Sequence, residues 1–227
     1  MPDSSDPTHS ESVQNFLKAV YALQQNGGRV STNALADMLN VKAPSITDMA
    51  QRLMVAELVD YERYKGVMLT ASGEKVALKI IRRHRLIELY LVEELGYALQ
   101  EVHEEAEALE HAVSDRFVQA IATKLGEPEL DPHGDPIPAA DGTIIRRDLS
   151  PLTEWPLGIP AQVCRIKTSD PEMLQHILNK GFKLNTVVTV LSRDPFDGPV
   201  IVQINGEERV VGHRAAVCVL VASVEES

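Results

Sequence analysis

The run His103-Glu-Glu-Ala-Glu107-Ala-Leu-Glu110-His111 constrains this chain more than any other stretch. On an α-helix each residue advances by roughly 100°. His103, Glu107, Glu110 and His111 then share about one quarter of the circumference, and Ser114 continues that face. Ala106, Leu109, Ala112, Val113 and Phe117 fall on a different, apolar face. One side of such a helix packs. The other gathers two imidazoles and two carboxylates, a donor set suited to a divalent cation. A second pair, His84 and Glu88, stands one turn apart on the preceding apolar-rich segment. A single histidine is usually an ordinary surface or satisfied residue, and a glutamate run is usually a solvated face. The phased combination is what points to metal.

The segment upstream reads as a winged helix-turn-helix. Ser10 to Ser12 offers N-cap choices, and Val13, Phe16, Leu17, Val20, Tyr21 and Leu23 keep helical spacing up to Asn26-Gly27-Gly28. Ser31-Thr32 opens a short helix, Asn33 to Leu39. A third helix starts at Ala43-Pro44, where proline's missing N–H is harmless, and runs to about Glu57. Leu58 to Arg63 alternates like a strand, Tyr64-Lys65-Gly66 turns, and Val67 to Thr70 returns. In this motif the second helix of the pair enters the major groove by its N-terminal residues. Here these are Lys42, Ala43, Pro44, Ser45, Thr47 and Asp48, with Arg63 and Lys65 placed at the wing tip. A metal site joined to a DNA reader points to a metal-sensing transcription factor.

Charge distribution supports that division of labour. The net charge of −11 alone argues against DNA binding. Yet Arg29 to Arg85 holds ten Lys/Arg against six Asp/Glu, and Leu86 to Asp135 holds two against thirteen. A basic front end suits phosphates and an acidic middle suits cations. No stretch reaches the roughly 20 apolar residues of a membrane span, and the N-terminus lacks a secretory pattern. The expectation is a cytoplasmic protein with residues 1–10 disordered. Cys164 and Cys218 are far apart without a CxxC pattern and are expected as buried thiols. No HExxH motif or nucleophile constellation suggests an enzyme. A zinc enzyme and a small-molecule-sensing winged-helix regulator are the rivals from other classes.

Two long amphipathic helices, Ser72 to about Leu95 and about Glu101 to Leu125, are the natural dimerisation elements. Beyond the Pro/Gly-rich Asp131–Pro138, residues 139–157 read as a loop or linker. Strands follow at Ala161–Lys167, Thr186–Ser192, Pro199–Ile204, Arg209–Val211 and Ala215–Val221, with one helix from Pro171 to Asn179. The expected fold is a mainly α N-terminal part, a winged helix-turn-helix plus a helical dimerisation domain, followed by a small SH3-like β-barrel. The boundaries are 1–72 for the reader, 73–140 for the helical metal-binding domain, 141–157 for the linker and 158–227 for the SH3-like, FeoA-like domain.

Several segments together resemble the diphtheria toxin repressor family of metal-dependent bacterial regulators, including its manganese transport regulator branch. They are Asn15-Phe-Leu-Lys-Ala-Val-Tyr21, Val41-Lys-Ala-Pro44-Ser45-Ile-Thr47, Arg83-His84-Arg-Leu-Ile-Glu88, Val102-His103 through Glu110-His111-Ala-Val-Ser114-Asp115, and Asp135-Pro-Ile-Pro138. The match covers about residues 12–140, and the C-terminal part more loosely. The resemblance implies a primary, activating metal site from Asn15, Glu107, Glu110 and His111. It implies a second site from His84, Glu88 and His103, with an oxygen ligand lent by Asp170 or, failing that, Glu172. It also implies a homodimer on a palindromic double-stranded DNA operator, no organic cofactor, and control of metal uptake and homeostasis genes. Iron-responsive members carry Cys where this chain has Glu107, so the hard carboxylate favours Mn²⁺, with Fe²⁺ as the alternative and other divalent metals binding in vitro. The manganese branch commonly carries Asp where this chain has Asn15. It also carries a carboxylate one turn later, where this chain has Lys18, so its bridged two-manganese arrangement is not expected here.

Overall fold

The computed structural model describes residues 10–25 and 27–224, so the polar N-terminal segment up to residue 9 and Asn26 lie outside the described residues. α1 (Glu11–Gln24) buries Val13, Phe16, Leu17, Val20 and Tyr21 along one face. α2 (Thr32–Met38) starts at Ser31, whose hydroxyl accepts from the Ala34 N–H. α3 (Ala43–Val55) has Pro44 in its first turn and buries Ile46, Ala50 and Leu53. β1 (Val59–Glu62) and β2 (Gly66–Leu69) form an antiparallel hairpin from Val59↔Leu69 to Glu62↔Gly66. Gly66 has φ +108, and a Cβ there would run into the Val30 carbonyl, so the wing needs glycine at this point. Winged helix-turn-helix order is thus present as read.

α4 (Ala71–Leu95) is one long helix. The expected helix from Glu101 to Leu125 is instead two, α5 (Val102–Glu110) and α6 (Asp115–Lys124). The cause is local. Ser114 adopts an extended conformation and its hydroxyl accepts from the Phe117 N–H, which starts a new helix. The apolar face changes with it. Ser114 caps rather than extending the ligand face, Ala112 is exposed, and Phe117 is 48% exposed while Val118, Ile121 and Ala122 are buried.

The C-terminal part is a six-stranded antiparallel sheet in the order β3-β8-β4-β5-β6-β7. Its strands are β3 (Ser150–Pro151), β4 (Pro160–Ile166), β5 (Val187–Arg193), β6 (Val200–Ile204), β7 (Glu207–Val211) and β8 (Val219–Ser223). The expected barrel does not close, because β3 and β7 are unpaired with each other among the described residues. Ser150–Pro151, within the segment read as a linker, pairs with β8, and Leu152 behind it is fully buried in the core. The expected strand Ala215–Val221 is split into α8 (His213–Cys218) and β8. Its first half, with the Ala215-Ala216 pair after Gly212, prefers a helical turn over strand alternation. α7 (Pro171–Asn179) starts where expected. Neither cysteine is fully buried: Cys164 sits at a bulge in β4 and Cys218 at the end of α8.

The chain divides into two compact units. One holds residues up to His84 with Glu110–Ala112 and Pro138–Thr143, and the other holds Arg85–Leu109, Val113–Ile137 and the rest. In the second unit Leu99 packs against both the helical core around Leu86, Val102 and Ile121 and the sheet core around Val163, Phe182 and Val202. The Asp131–Ile137 loop fastens these parts together. The Asp131 carboxylate accepts from the His133 and Asp135 N–H groups at 2.8 Å. Arg85 of α4 reaches the Pro136 carbonyl and Asp135, Arg165 of β4 pairs with Asp135, and the Ile166 N–H donates to the His133 carbonyl. Gly134 (φ +87) sits so close to β4 that a Cβ would run into the Cys164 carbonyl.

Asp131 is 4% exposed. Burial, followed by the charges of Asp135 and Glu88, pushes its pKa up to about 8 despite Arg85. A raised folded-state pKa means the native protein holds a proton that the unfolded chain releases. This contribution to stability is therefore full below the unfolded value of 3.8 and lost as pH rises to about 8. Asp131→Asn keeps the acceptor for both N–H groups, and its melting temperature should lose that decline. Gly134→Ala should lower the unfolding free energy by about 2–4 kcal/mol in urea titrations, from a strained φ and a backbone clash.

Candidate metal centre and nucleic-acid interface

The residues expected to read DNA lie at the start of α3 and at the tip of the hairpin. Lys42, Pro44, Ser45 and Asp48 are exposed at the start of α3, with Ala43 and Thr47 half-buried. The Thr47 hydroxyl donates back to the Ala43 carbonyl at 3.2 Å, so Ser45 is the freer hydroxyl. At the wing tip Arg63 lies 4.9 Å over the ring of Tyr64, which is 91% exposed. Lys65 pairs with Glu62 at 2.6 Å, and that hydrogen bond and Arg29 hold the Glu62 carboxyl below its usual range. Arg29 donates to Glu62 at 2.7 Å and to the carbonyls of Asp60 and Gly66. It is the strut of the wing. Sequence reading passed over Arg29 and Tyr64, because a lone basic residue between helices and a turn tyrosine carry no periodic signal.

The ligand candidates gather around Glu110, at the C-terminal end of α5, whose side chain is 0% exposed. Lys18 Nζ donates to Glu110 Oε1 at 2.7 Å, and His84 Nδ1 shares a hydrogen bond of 2.7 Å with Oε2. His111, just past α5, has Nε2 3.3 Å from Oε1, a contact without hydrogen-bond geometry. Its Nδ1 is 2.7 Å from Gln14 Oε1. Arg83 donates to the Glu110 carbonyl at 2.8 Å. Burial raises the Glu110 pKa, but the bond to His84 and the charges of Lys18 and His84 outweigh it, and the net shift is downward. Glu110 is an ionised carboxylate held by positive neighbours.

Two groups of possible metal ligands result, one in each unit. In the first, His84 and His111 meet Glu110, whereas the sequence reading placed His84 in the second site alone. In the other, Glu88 Oε1 and His103 Nδ1 are 3.1 Å apart. Glu107 lies one turn before Glu110 on α5, and Asn15 belongs to the unit that holds Glu110. Among the described residues, Asn15 Oδ1 is buried without a hydrogen-bond partner, as is His111 Nε2. Buried acceptors normally have partners, so an orphaned amide oxygen and an orphaned imidazole nitrogen in the unit that holds Glu110 fit a cation. Asp170 is not gathered in. It caps α7, accepting from the Glu172 and Met173 N–H groups, and Glu172 is likewise exposed outside both groups. Gln14 escaped the sequence reading because an amide in an amphipathic helix has no distinctive signature.

Known proteins resemble this chain along most of its length. Residues 9–67 match the model of the iron dependent repressor N-terminal DNA binding domain, and residues 70–139 match the iron dependent repressor metal binding and dimerisation domain. Residues 150–223 match the FeoA domain. An uncharacterized HTH-type transcriptional regulator of Methanocaldococcus jannaschii is 37% identical over 49% of this chain and 90% of that protein. The iron-dependent repressor IdeR of Mycobacterium leprae is 29% identical over 94% of this chain and 98% of that one. A solved manganese-dependent transcriptional repressor in complex with manganese is 41% identical, with a TM-score of 0.86 over 93% of this chain and 100% of that chain.

Glu110→Gln in metal-free protein should lower stability by about 2–3 kcal/mol in chelator-treated urea titrations. The variant leaves Lys18 and His84 facing a neutral amide.

Proposed function

This chain belongs to the iron-dependent repressor family of metal-dependent DNA-binding transcriptional regulators, and we propose that it is a manganese-activated member acting as a homodimer. The observation that carries this reading is the donor set around buried Glu110. Carboxylates, imidazoles and an amide oxygen, without thiolate, suit a hard divalent ion such as Mn²⁺. The 41% identity to a manganese-dependent repressor points the same way. Fe²⁺ is the second reading, favoured by the match to the mycobacterial iron-dependent repressor along nearly the whole chain.

Glu107, Glu110 and His84 would hold the activating ion, with His111 and the Asn15 oxygen completing its shell. His84, Glu88 and His103 would form a second site, and Asp170 would join it only by giving up its cap on α7. The bound ion supplies fixed positive charge between carboxylates that otherwise repel. Asn15 and Gln14 lie on α1, whose Val13, Phe16 and Leu17 are buried in the reader unit. Tightening α1 therefore stiffens the support of α3. Two readers held at a fixed spacing match a palindromic operator. Metal and DNA then strengthen each other's binding by the same factor. Lys42, Ala43, Pro44, Ser45 and Thr47 would face the major groove, and Arg63 and Lys65 the flanking backbone, in the cytoplasm at genes of metal uptake and homeostasis.

Fluorescence anisotropy on a DNA fragment from the protein's own promoter region tests this at fixed salt. Binding should appear with Mn²⁺, be weaker with anaerobic Fe²⁺, vanish with chelator and weaken in Glu110→Gln. Equal binding with and without metal would overturn the switch.

A further inference from the structure

Lys18 sits on the carboxylate at the heart of the candidate metal centre. Its ammonium donates to Glu110 Oε1 at 2.7 Å, and it is 22% exposed while the carboxylate it meets is 0% exposed. The other carboxylate oxygen is engaged by His84. Both oxygens of the central ligand are therefore already served by the protein's own donors. On α1, Lys18 follows Gln14 by one turn, and Gln14 is hydrogen-bonded to His111. Both bonds tie the same helix to the end of α5 with no metal involved. All of these residues lie in one compact unit.

We propose that Lys18 is an affinity-setting residue of the metal centre, a built-in cation that must leave Glu110 Oε1 before a divalent ion can use that oxygen. This inference rests on the metal reading above. Two cations on one carboxylate oxygen repel strongly where solvent is largely excluded. The ion therefore competes with an intramolecular ammonium that is always present. The tether has two consequences. Metal binding is weaker than the donor set alone would give, so the site fills only when the metal is plentiful. The metal-free protein also keeps α1 tied to Glu110 and His111, so Glu110 is not left as a bare buried charge.

The test is Mn²⁺ affinity, measured by competition with a fluorescent chelator and without DNA, in wild type, Lys18→Met, Lys18→Gln and Lys18→Arg. Glu110→Gln defines the Glu110-dependent site. Lys18→Gln keeps a hydrogen-bond donor for Glu110 and guards against loss of folding in Lys18→Met. Both neutral variants should bind Mn²⁺ at least about tenfold more tightly than wild type, and Lys18→Arg no more tightly. Wild-type affinity or weaker binding in both neutral variants, with wild type binding normally, would overturn the role of Lys18 alone. Absence of any Glu110-dependent Mn²⁺ binding in wild type and all Lys18 variants would overturn the metal reading and this inference with it.

Discussion

A carboxylate buried as completely as Glu110 must be met by positive charge or lose its own. The chain meets it from several sides. Lys18 comes from α1 and His84 from α4, while Arg83 holds the Glu110 carbonyl. These contacts determine where α1 can sit in its unit, and α1 carries much of the apolar core beneath the reader. A regulator needs such a point, at which a small change in local charge bears on an element that DNA binding depends on.

The second unit follows a different logic. Its helical and sheet parts are joined by apolar packing through Leu99 and by the loop in which Asp135 meets both Arg85 and Arg165. Asp131 accepts from backbone N–H groups and Asp135 meets two guanidinium groups, so the turn is held by polar bonds rather than by bulk. This firmness suits a part that supports, and the lighter wing, strutted by Arg29, suits a part that must adapt to a phosphate backbone.

Much of this was legible in the sequence, because periodicity and caps are local. Val13, Phe16 and Leu17 mark α1, Ser31 and Pro44 mark the starts of α2 and α3, and the Tyr64-Lys65-Gly66 turn marks the wing. The misreadings came where two local signals competed. Ser114 could extend an acidic face or cap a new helix, and capping won. Ala215-Ala216 could continue an alternating strand or turn as a helix, and the helix won. At the candidate site, phasing singled out Glu107, Glu110, His103 and His111, but not their partners. The Lys18–Glu110 and Gln14–His111 contacts join residues more than ninety positions apart, and no local pattern encodes them. His84 looked like a neighbour of Glu88 alone because only the fold brings it to Glu110. Asp170 was placed by resemblance and spacing, and its local use as a helix cap is what the structure shows.

The central claim is that a cation bound at Glu110, with the Asn15 oxygen of α1 in its shell, holds α1 more firmly than the Lys18 contact it displaces and so stiffens the DNA-reading unit. Amide hydrogen exchange along α1, with and without Mn²⁺ and in the absence of DNA, tests this most directly. The account predicts that Mn²⁺ slows exchange from Val13 to Tyr21 in wild type and leaves it unchanged in Glu110→Gln. Full Mn²⁺ binding with unchanged exchange along α1 would contradict it.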